Sequence, residues 1–344
     1  MRKDAVLVTG AGSFCAINII KSLKAAGKYR IITADIFPAS VGAFRSDAGF
    51  LIPREGKDGK FIKALLEICR KEKAALLIPG FDSELPFIVE AKSQFERQGT
   101  KVLIGNERLI DIGNDKLKLA HFLQANGFPF LKSYPLSEHR AVTKELSFPF
   151  IVKPKAGWGQ RGFHLISSQR DFDYVLGNLK ASKDYMIQEY VSEDEGEFSN
   201  SVSVAVDGDI LGCICSRREL VKGDSRKIII DEFPDVKKQM LAIARKINSS
   251  GPVNLQCRLR KGKAYVFEIN ARFSTTNVVR TACGYNEVSL LAEHFLTGKK
   301  KYIRQYKKKV ALVYLDYVYI DEKNIKDFEN KKSTAAKAEV KHWL

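Results

Sequence analysis

The residues best suited to chemistry lie in the middle of the chain, where a lysine is followed by a glycine-rich segment. Lys153 ends an apolar run, and Pro154 and the glycines Gly157, Gly159 and Gly162 follow it. Glycines let backbone N–H groups approach phosphate oxygens, and a lysine adds a positive charge. The segment lacks the Gly-Lys-Ser/Thr triplet of a Walker A loop. It predicts phosphate binding, and a flexible hairpin connection is the alternative.

A second candidate site lies where the apolar run 185–190 ends. A chain that leaves a strand can offer backbone N–H and C=O groups to an adenine edge, with a carboxylate beside the adenine amino group. Further along, Glu197 could accept hydrogen bonds from ribose hydroxyls, and Glu193 and Glu195 are rivals for that role. The residues placed to meet the adenine are Gln188, Glu189, Tyr190 and Val191.

A carboxylate and an amide two residues apart form a third candidate site. A strand over 263–270 would turn residues 266, 268 and 270 to one face and residues 265, 267 and 269 to the other. Glu268 and Asn270 would then stand about 7 Å apart, from the rise per residue of a strand. Hard cations such as Mg²⁺ prefer carboxylate and amide oxygens. The pair predicts a cation site, and a solvated polar face is the alternative.

Whether Gln256 joins this pair depends on the hairpin loop between the two strands. A three-residue loop over 260–262 would place Gln256 opposite Val266, on the face of Glu268. A two-residue loop would turn Gln256 to the other face. Both outcomes are compatible with the sequence.

Two further motifs are ambiguous when taken alone. Arg217, Arg218 and Lys222 follow a buried-looking strand and could hold phosphate or a carboxylate substrate, although a solvated basic loop is the plainer interpretation. Near the N-terminus, a glycine turn ending at Gly12 suggests dinucleotide binding, with Asp35 as a ribose ligand. However, the third glycine of that fingerprint is replaced by a cysteine. A tight turn, or an anion at the helix N-terminus, is the alternative.

The elements that must position these residues fall into two classes. Over residues 1–113, apolar strands near 5–9, 30–35, 75–79 and 101–104 alternate with helical segments near 59–71 and 84–98, which predicts a Rossmann-like parallel α/β domain. After a helix at 117–126, strands predominate until a helix at 284–296. We therefore expect an antiparallel α+β unit after the first unit, and a basic C-terminal extension over 301–344 that contains a strand-like run at 310–320.

Composition restricts the class of protein. The 344 residues are 45% hydrophobic and carry a formal net charge of +17. Residues 299–344 hold 13 Lys/Arg against 6 Asp/Glu, which we interpret as solvated surface and not as a nucleic-acid site. No apolar run is long enough to span a membrane. Six scattered cysteines without a CxxC pair are typical of reduced thiols. We expect a soluble cytoplasmic protein that binds neither membranes nor nucleic acid.

In this order and spacing, the motifs over residues 5–298 resemble the ATP-grasp superfamily, and most closely its branch similar to the large subunit of carbamoyl-phosphate synthase. The resemblance implies a Rossmann-like domain over 1–113, followed by an ATP-grasp fold of two α+β subdomains: a small one with the glycine segment over 114–187, and a C-terminal one with the metal site over 188–300. It also implies residue roles. Lys116, which opens a helix, and Lys153 would contact ATP, together with the glycine segment, the 188–191 strand end and Glu197. Two Mg²⁺ or Mn²⁺ ions would be held by Gln256, Glu268 and Asn270, and Arg272 would meet the transferring phosphoryl group.

The activity that the resemblance implies is an ADP-forming carbon–nitrogen ligase. Such enzymes phosphorylate a small carboxylate, here an amino acid among the candidates, and an amine then displaces phosphate. The chain holds one ATP-grasp unit where carbamoyl-phosphate synthase holds two, which argues against carbamoyl phosphate synthesis. Dimers are frequent among relatives. The alternatives are a degenerate ATP-binding regulatory protein and a nicotinamide-dependent oxidoreductase.

Overall fold

Helices and strands alternate in the first third of the chain, and strands predominate afterwards. The computed structural model describes residues 3–142, 145–157, 161–179, 182–221 and 223–340. The strands are β1 (Asp4–Thr9), β2 (Tyr29–Asp35), β3 (Ala48–Leu51), β4 (Ala74–Ile78), β5 (Lys101–Val102), β6 (Ser133–Pro135), β7 (Phe150–Pro154), β8 (His164–Ile166), β9 (Tyr185–Glu189), β10 (Glu197–Val204), β11 (Ile210–Val221), β12 (Asp224–Ile230), β13 (Gly251–Arg260), β14 (Lys263–Asn270), β15 (Lys309–Leu312), β16 (Val318–Tyr319), β17 (Ser333–Thr334) and β18 (Glu339–Val340). The helices are α1 (Phe14–Ala26), α2 (Lys60–Glu72), α3 (Leu85–Glu90), α4 (Lys92–Arg97), α5 (Glu107–Asn114), α6 (Lys116–Ala125), α7 (His139–Val142), α8 (Gln169–Leu179), α9 (Pro234–Ile247), α10 (Asn277–Ala282), α11 (Glu287–Thr297) and α12 (Glu322–Lys331).

The N-terminal sheet has the order β17-β3-β2-β1-β4-β5, with β1 to β5 parallel and β17 antiparallel at the edge. Its central strands are apolar and buried, as expected when helices cover both faces of a parallel sheet. Helix α1 begins at Ser13, whose side chain accepts the N–H of Ala16, and ends at Gly27 with φ 71°. The carboxyl ends of β1 and β4 therefore open toward one edge, where ligands of such sheets bind.

Two antiparallel sheets form the rest of the chain. The smaller has the order β6-β9-β7-β8 and packs on α8, with Phe150 and Phe172 edge to face at 5.1 Å. The larger has the order β14-β13-β10-β11-β12-β15. Strand β10 lies inside this sheet, and all of its residues are buried. The predicted architecture, a parallel α/β unit followed by an antiparallel α+β unit, is confirmed.

Several details of the prediction are wrong. The segment 217–221 is not a loop, because it belongs to β11, where Arg217 and Arg218 pair with β12. The helix expected over 84–98 is interrupted at Ala91, between α3 and α4. The run 310–320 forms two short strands, β15 and β16. Strand β3 and helix α9 escaped the sequence analysis.

The C-terminal segment joins both large sheets. Strand β15 extends the larger antiparallel sheet by pairing with β12, and β17 extends the N-terminal sheet by pairing with β3. Phe328 of α12 is buried against Phe44 of the N-terminal unit. The segment after residue 300 is thus part of the fold, whereas the domain boundaries that we predicted stay predictions.

Candidate active site

A cavity of about 620 Å³ lies between the two antiparallel sheets and the carboxyl edge of the N-terminal sheet. Strands β7, β9, β10, β11, β13 and β14 each contribute at least one side chain to its wall. The turn after β1 and the turn after β4 close its far end. We call the part near β9 the nucleotide end and the part near the two turns the acceptor end.

Lys153, at the end of β7, is buried inside this cavity, with only 7% of its surface exposed. The pKa of Lys153 is lowered to about 7. Burial is the main cause and the neighbouring Lys116 cation adds to it, whereas the Glu268 carboxylate opposes the shift. The ammonium also lies 5.9 Å from the centre of the Phe267 ring. A lysine held this way becomes fully charged when an anion enters the cavity.

Lys116 approaches the same region from the start of α6. The helix is capped by Asp115, and the backbone N–H of Lys116 donates to Lys155 O at 2.9 Å. The Lys116 ammonium donates to Gly157 O at 2.7 Å. The first lysine of the predicted set is therefore tied to the start of the glycine segment.

The ends of the glycine segment adopt backbone angles that favour glycine. Gly157 has φ 110° and lines the cavity. Gly162 has φ 69°, and a Cβ there would lie 2.6 Å from the Tyr185 hydroxyl. Gly159 lies outside the described residues. Both described glycines are thus required by local geometry.

At the nucleotide end, the last residues of β9 and those that follow it line the cavity: Gln188, Glu189, Tyr190 and Val191. The Glu189 carboxylate accepts from Arg260 at 2.5 Å and from the Lys132 N–H at 3.2 Å, so it is already engaged. Gln188 is 2% exposed, and among the described residues its Oε1 has no hydrogen-bond partner. That acceptor atom remains available to a ligand.

Glu197 lies at the start of β10 between two arginines on the neighbouring strands. Arg218 of β11 donates to its Oε1 at 2.6 Å, and Arg258 of β13 donates to its Oε2 at 2.8 Å. Of the two rivals for the ribose role, Glu195 accepts the N–H groups of the β13–β14 turn, and Glu193 is exposed, 3.9 Å from Arg258. Glu197 is the buried member of the three.

Gln256 and Glu268 face each other, but the cause is neither the three-residue loop nor the two-residue loop considered above. The loop has two residues, Lys261 and Gly262, which would turn Gln256 away. A bulge at Phe267 inserts one extra residue in β14, so that Gln256 is paired with Glu268. The predicted alternation along β14 is therefore wrong: residues 265, 267 and 268 line the cavity, and residues 266 and 269 are buried.

The predicted metal ligands form one hydrogen-bonded cluster. Glu268 Oε1 accepts from Gln256 Nε2 at 3.0 Å and from Asn270 Nδ2 at 2.9 Å. Asn270 lies behind Glu268 and does not itself line the cavity. One carboxylate and two amides offer the hard oxygen donors that Mg²⁺ prefers, once each amide turns its oxygen inward. In the part of the chain that the structure describes, no three His, Cys, Asp or Glu side chains converge on a common point.

Arg272 connects this cluster to the acceptor end. Its guanidinium donates to Asp82 at 2.7 Å and to Phe273 O at 3.1 Å. The Asp82 and Glu268 carboxylates hold the pKa of Arg272 above its usual range, against the effect of burial. Arg272, for which the resemblance implied a contact with the phosphoryl group, is therefore bonded to the N-terminal unit and lies near enough to Glu268 for the two charges to interact.

Arg217 and Arg218 lie on opposite faces of β11. Arg218 lines the cavity and also donates to Gln256 Oε1 at 2.8 Å. Arg217 is the next residue along the strand and does not line the cavity. Lys222 lies outside the described residues. The prediction that the whole group forms one substrate cluster is wrong, because neighbours on a strand point to opposite faces.

The N-terminal glycine turn does not have a free ribose ligand. Asp35 accepts the N–H of Gly12 at 2.6 Å and that of Phe37 at 2.8 Å, so both of its carboxylate oxygens stabilise the loop. Gly12 itself lines the acceptor end. This geometry argues against the nicotinamide alternative.

The sequence analysis missed several charged residues of the site. Arg258 and Arg260 share the face of Gln256, because polar and apolar residues alternate along β13, and that alternation could have revealed them. Asp82, 190 residues before its partner, carries no local signal. The fully buried pair of Arg280 and Glu287, joined at 2.9 Å, was also missed, but it does not line the cavity.

Comparisons with known proteins agree with this architecture. Residues 6–103 match the family described as "PylC-like, N-terminal domain", and residues 181–318 match "ATP-grasp in the biosynthetic pathway with Ter operon". The carbamoyl phosphate synthase large chain of Archaeoglobus fulgidus is 24% identical over 331 residues, which are 87% of this chain and 29% of the relative. That of Pseudothermotoga lettingae is 24% identical over 254 residues, 69% of this chain and 22% of the relative. The chain thus spans less than a third of the length of these relatives.

Solved structures show the same fold. An ADP complex of N5-carboxyaminoimidazole ribonucleotide synthetase superposes with a TM-score of 0.72 at 15% identity, covering 96% of this chain and 84% of the other. The biotin carboxylase domain of Hydrogenobacter thermophilus 2-oxoglutarate carboxylase gives 0.67 at 14% identity, with coverage of 89% and 72%. Residues 181–318 thus match an ATP-grasp family, and the resemblance to ATP-grasp proteins that the motifs indicated is confirmed. No helix within the described residues is long and apolar enough to cross a membrane.

Proposed function

We propose that this protein is an ATP- and Mg²⁺-dependent ligase that activates a small carboxylate as an acyl phosphate for attack by an amine. The observation that carries the proposal is the joint placement of Lys153, Glu268 and Arg272 in one cavity. Two cations and a carboxylate flanked by amides are what a transferring phosphoryl group needs around it. The sequence similarity to carbamoyl phosphate synthase large chains supports the assignment.

The nucleotide end would hold ATP through groups that are already in place. The backbone after β9 and the free Gln188 Oε1 would meet the adenine, and Glu197 would meet the ribose. Lys116, Lys153 and the glycine segment would contact the phosphates. Because Glu197 and Glu189 lie on strands and are held by ion pairs, little ordering of these two side chains would accompany binding.

The chemistry requires positioning and charge neutralisation more than covalent participation by the protein. A carboxylate oxygen of the substrate attacks the γ-phosphorus of ATP, and ADP leaves. The amine then attacks the acyl carbon, and phosphate leaves with loss of a proton from the amine. Arg272 and Lys153 would stabilise the charge that builds up on the phosphoryl oxygens.

The metal cluster would serve the same step. Bound Mg²⁺, for which we propose two ions, would neutralise the phosphate oxygens and polarise the γ-phosphorus. Gln256, Glu268 and Asn270 would hold it. The glycine segment would exclude water from the acyl phosphate. A cytoplasmic location and a homodimer stay predictions.

The test is ADP release from Mg-ATP, with pooled small carboxylates and pooled amines supplied separately and together. We expect ADP only when a carboxylate and an amine are both present. The Glu268→Ala variant should lose at least about 100-fold of that turnover, because the phosphate charge is no longer neutralised.

Glu219→Ala is the matched control, since Glu219 is also a glutamate of the larger sheet but is exposed and pairs with Lys227. It should turn over like the wild type. Circular dichroism should show both variants folded. ADP release that is unchanged in Glu268→Ala would contradict the assignment of the site.

A further inference from the structure

An ion pair of opposite charges closes the acceptor end of the cavity. The Arg272 Nη2 and the Asp82 Oδ2 are 2.7 Å apart, and the two side chains are only 11% and 20% exposed. Arg272 follows β14 in the ATP-grasp part, whereas Asp82 follows β4 in the N-terminal unit. Both line the cavity, so a ligand that enters this end meets both charges.

Among the residues that the two turns and the segment 272–275 contribute to the cavity, Arg272 and Asp82 are the charged ones. These two side chains therefore determine which charges a ligand can carry at this end. Cys15 also lines the acceptor end, but burial raises its pKa to about 12, so it is a neutral thiol that donates to Phe273 O. Ser274 and Thr275 add uncharged hydroxyls. Glu268, on the other side of Arg272, belongs to the metal cluster.

The pair constrains what can bind. A monocarboxylate that takes Arg272 would leave Asp82 without a partner, and an amine that takes Asp82 would leave Arg272 without one. Leaving one member of a partly buried pair unpaired is costly. A ligand that carries a carboxylate and an ammonium on adjacent positions can replace each partner by its own group, so that no charge is left alone.

We propose that Asp82 determines specificity at the acceptor end, and that this end selects zwitterionic α-amino acids. The amino acid carboxylate takes the place of Asp82 on Arg272, and its ammonium takes the place of Arg272 on Asp82. This inference rests on the proposed function, because it places the carboxylate beside the metal cluster, where the phosphoryl group would be received.

The exposed ring of Phe14 supports an organic ligand at this end. Phe14 is the first residue of α1, it is 72% exposed, and it lines the cavity together with Phe81. An aromatic surface at a cavity mouth is covered when a ligand carries apolar atoms. The side chain of the amino acid would supply those atoms.

The experiment compares amino acids with analogues that lack only the amino group. The probes are phenylalanine with hydrocinnamate, leucine with isocaproate, and alanine with propionate. Each is added to the full chain with Mg²⁺ and the ATP analogue AMP-PNP, and affinity is measured from the shift in melting temperature and by calorimetry. For the wild type we expect at least one amino acid to bind about 100-fold more tightly than its analogue.

The Asp82→Asn variant keeps the shape of the side chain and removes its charge. It should weaken amino acid binding by about 100-fold and leave the analogue unchanged or tighter, because no carboxylate is stranded. Glu293→Gln is the control, since Glu293 pairs with Lys28 and also joins the N-terminal unit to the ATP-grasp part, but away from the cavity. It should preserve the preference for the amino acid.

The proposal is overturned if the analogues bind the wild type as well as the amino acids do, if none of the amino acids binds, or if Asp82→Asn weakens both classes equally. Stabilisation by AMP-PNP is read separately. If AMP-PNP stabilises the protein but amino acids show no preference, this inference fails and the proposed ATP site stands. If AMP-PNP gives no stabilisation, both fail.

Discussion

The two ends of the cavity are built differently. The nucleotide end consists of side chains on neighbouring strands, where Glu197 sits between Arg218 and Arg258. The acceptor end consists of turns from separate units, joined by one ion pair between Asp82 and Arg272. The first end is therefore held by regular strand pairing, and the second depends on how two units meet. We expect binding of nucleotide to be robust and selection of the acceptor to be easily altered.

The largest effect that would separate the two ends comes from Lys153→Met. Removing the buried ammonium should lower kcat/KM for ATP by about 1,000-fold, because charge developing on the phosphoryl group loses its nearest stabiliser. Steady-state kinetics measure this loss. Lys155→Met, two residues along, is the control and should change kcat/KM less than about threefold. Equal losses in both variants would contradict a special role for Lys153.

Arg218→Met and Arg217→Met test whether the nucleotide end is built on one face of β11. Arg218→Met removes one of the two arginines that pair with the buried Glu197, and it should cost about 2 kcal/mol of stability and about 100-fold in affinity for Mg-AMP-PNP. Arg217→Met, on the other face, should cost less than about 0.5 kcal/mol. Chemical denaturation and calorimetry measure the two quantities. If Arg217→Met has the larger effect, the assignment of faces is wrong.

The pKa of Lys153 predicts how nucleotide binding depends on pH. In the folded protein its pKa is lowered to about 7 from 10.5, so the unfolded chain binds more protons between those values. Stability from this group therefore rises with pH across that window. Bound phosphate raises the pKa again, so Mg-AMP-PNP affinity should fall up to about tenfold per pH unit above 7.

Calorimetry in two buffers of different ionisation enthalpy should detect uptake of up to about one proton on binding at pH 8. Lys153→Met should abolish that uptake, whereas Lys155→Met should preserve it. Binding without proton uptake in the wild type would mean that Lys153 is already charged in the empty cavity.

The smallest effect on turnover is expected behind the acceptor end, at Glu84. This glutamate is 4% exposed and contacts the Thr9 hydroxyl, and burial raises its pKa to about 8 from 4.5. Because the folded pKa is higher than the unfolded one, the stability contributed by Glu84 is lost as pH rises from about 4.5 to 8.

Glu84→Gln should remove this loss, so that the stability of the variant relative to the wild type rises by about 3.5 kcal/mol between pH 5 and pH 8. Turnover should change less than about twofold. Denaturation at several pH values measures the difference. A constant difference in stability across that pH range would show that Glu84 is ionised in the folded protein.

The nucleotide end could be predicted from sequence because its residues are local and ordered. Lys153 and the glycines are neighbours, and Glu268 and Asn270 share a strand. The side of the sheet on which each residue of β14 lies could not be predicted in full, because one extra residue at Phe267 shifts the alternation of that strand. A bulge of this kind reflects packing between strands and leaves no periodic trace in the sequence.

The acceptor end could not be predicted in the same way. Asp82 and Arg272 are 190 residues apart, and no sequence motif indicates that they pair with each other. Outside the cavity, the burial of Arg280 and Glu287 could not be predicted either, because charged residues near a helix are ordinarily exposed. Pairing between units is decided by the tertiary fold, and sequence spacing does not encode it.

The central claim is that this cavity transfers the γ-phosphoryl group of ATP to a carboxylate, and an isotope measurement tests it most directly. Amino acids labelled with ¹⁸O in the carboxylate are incubated with the protein, Mg-ATP and pooled amines, and the released phosphate is analysed by mass spectrometry. We predict one ¹⁸O atom in each phosphate released, because the attacking carboxylate oxygen leaves with the phosphoryl group. ADP release with unlabelled phosphate would contradict the account.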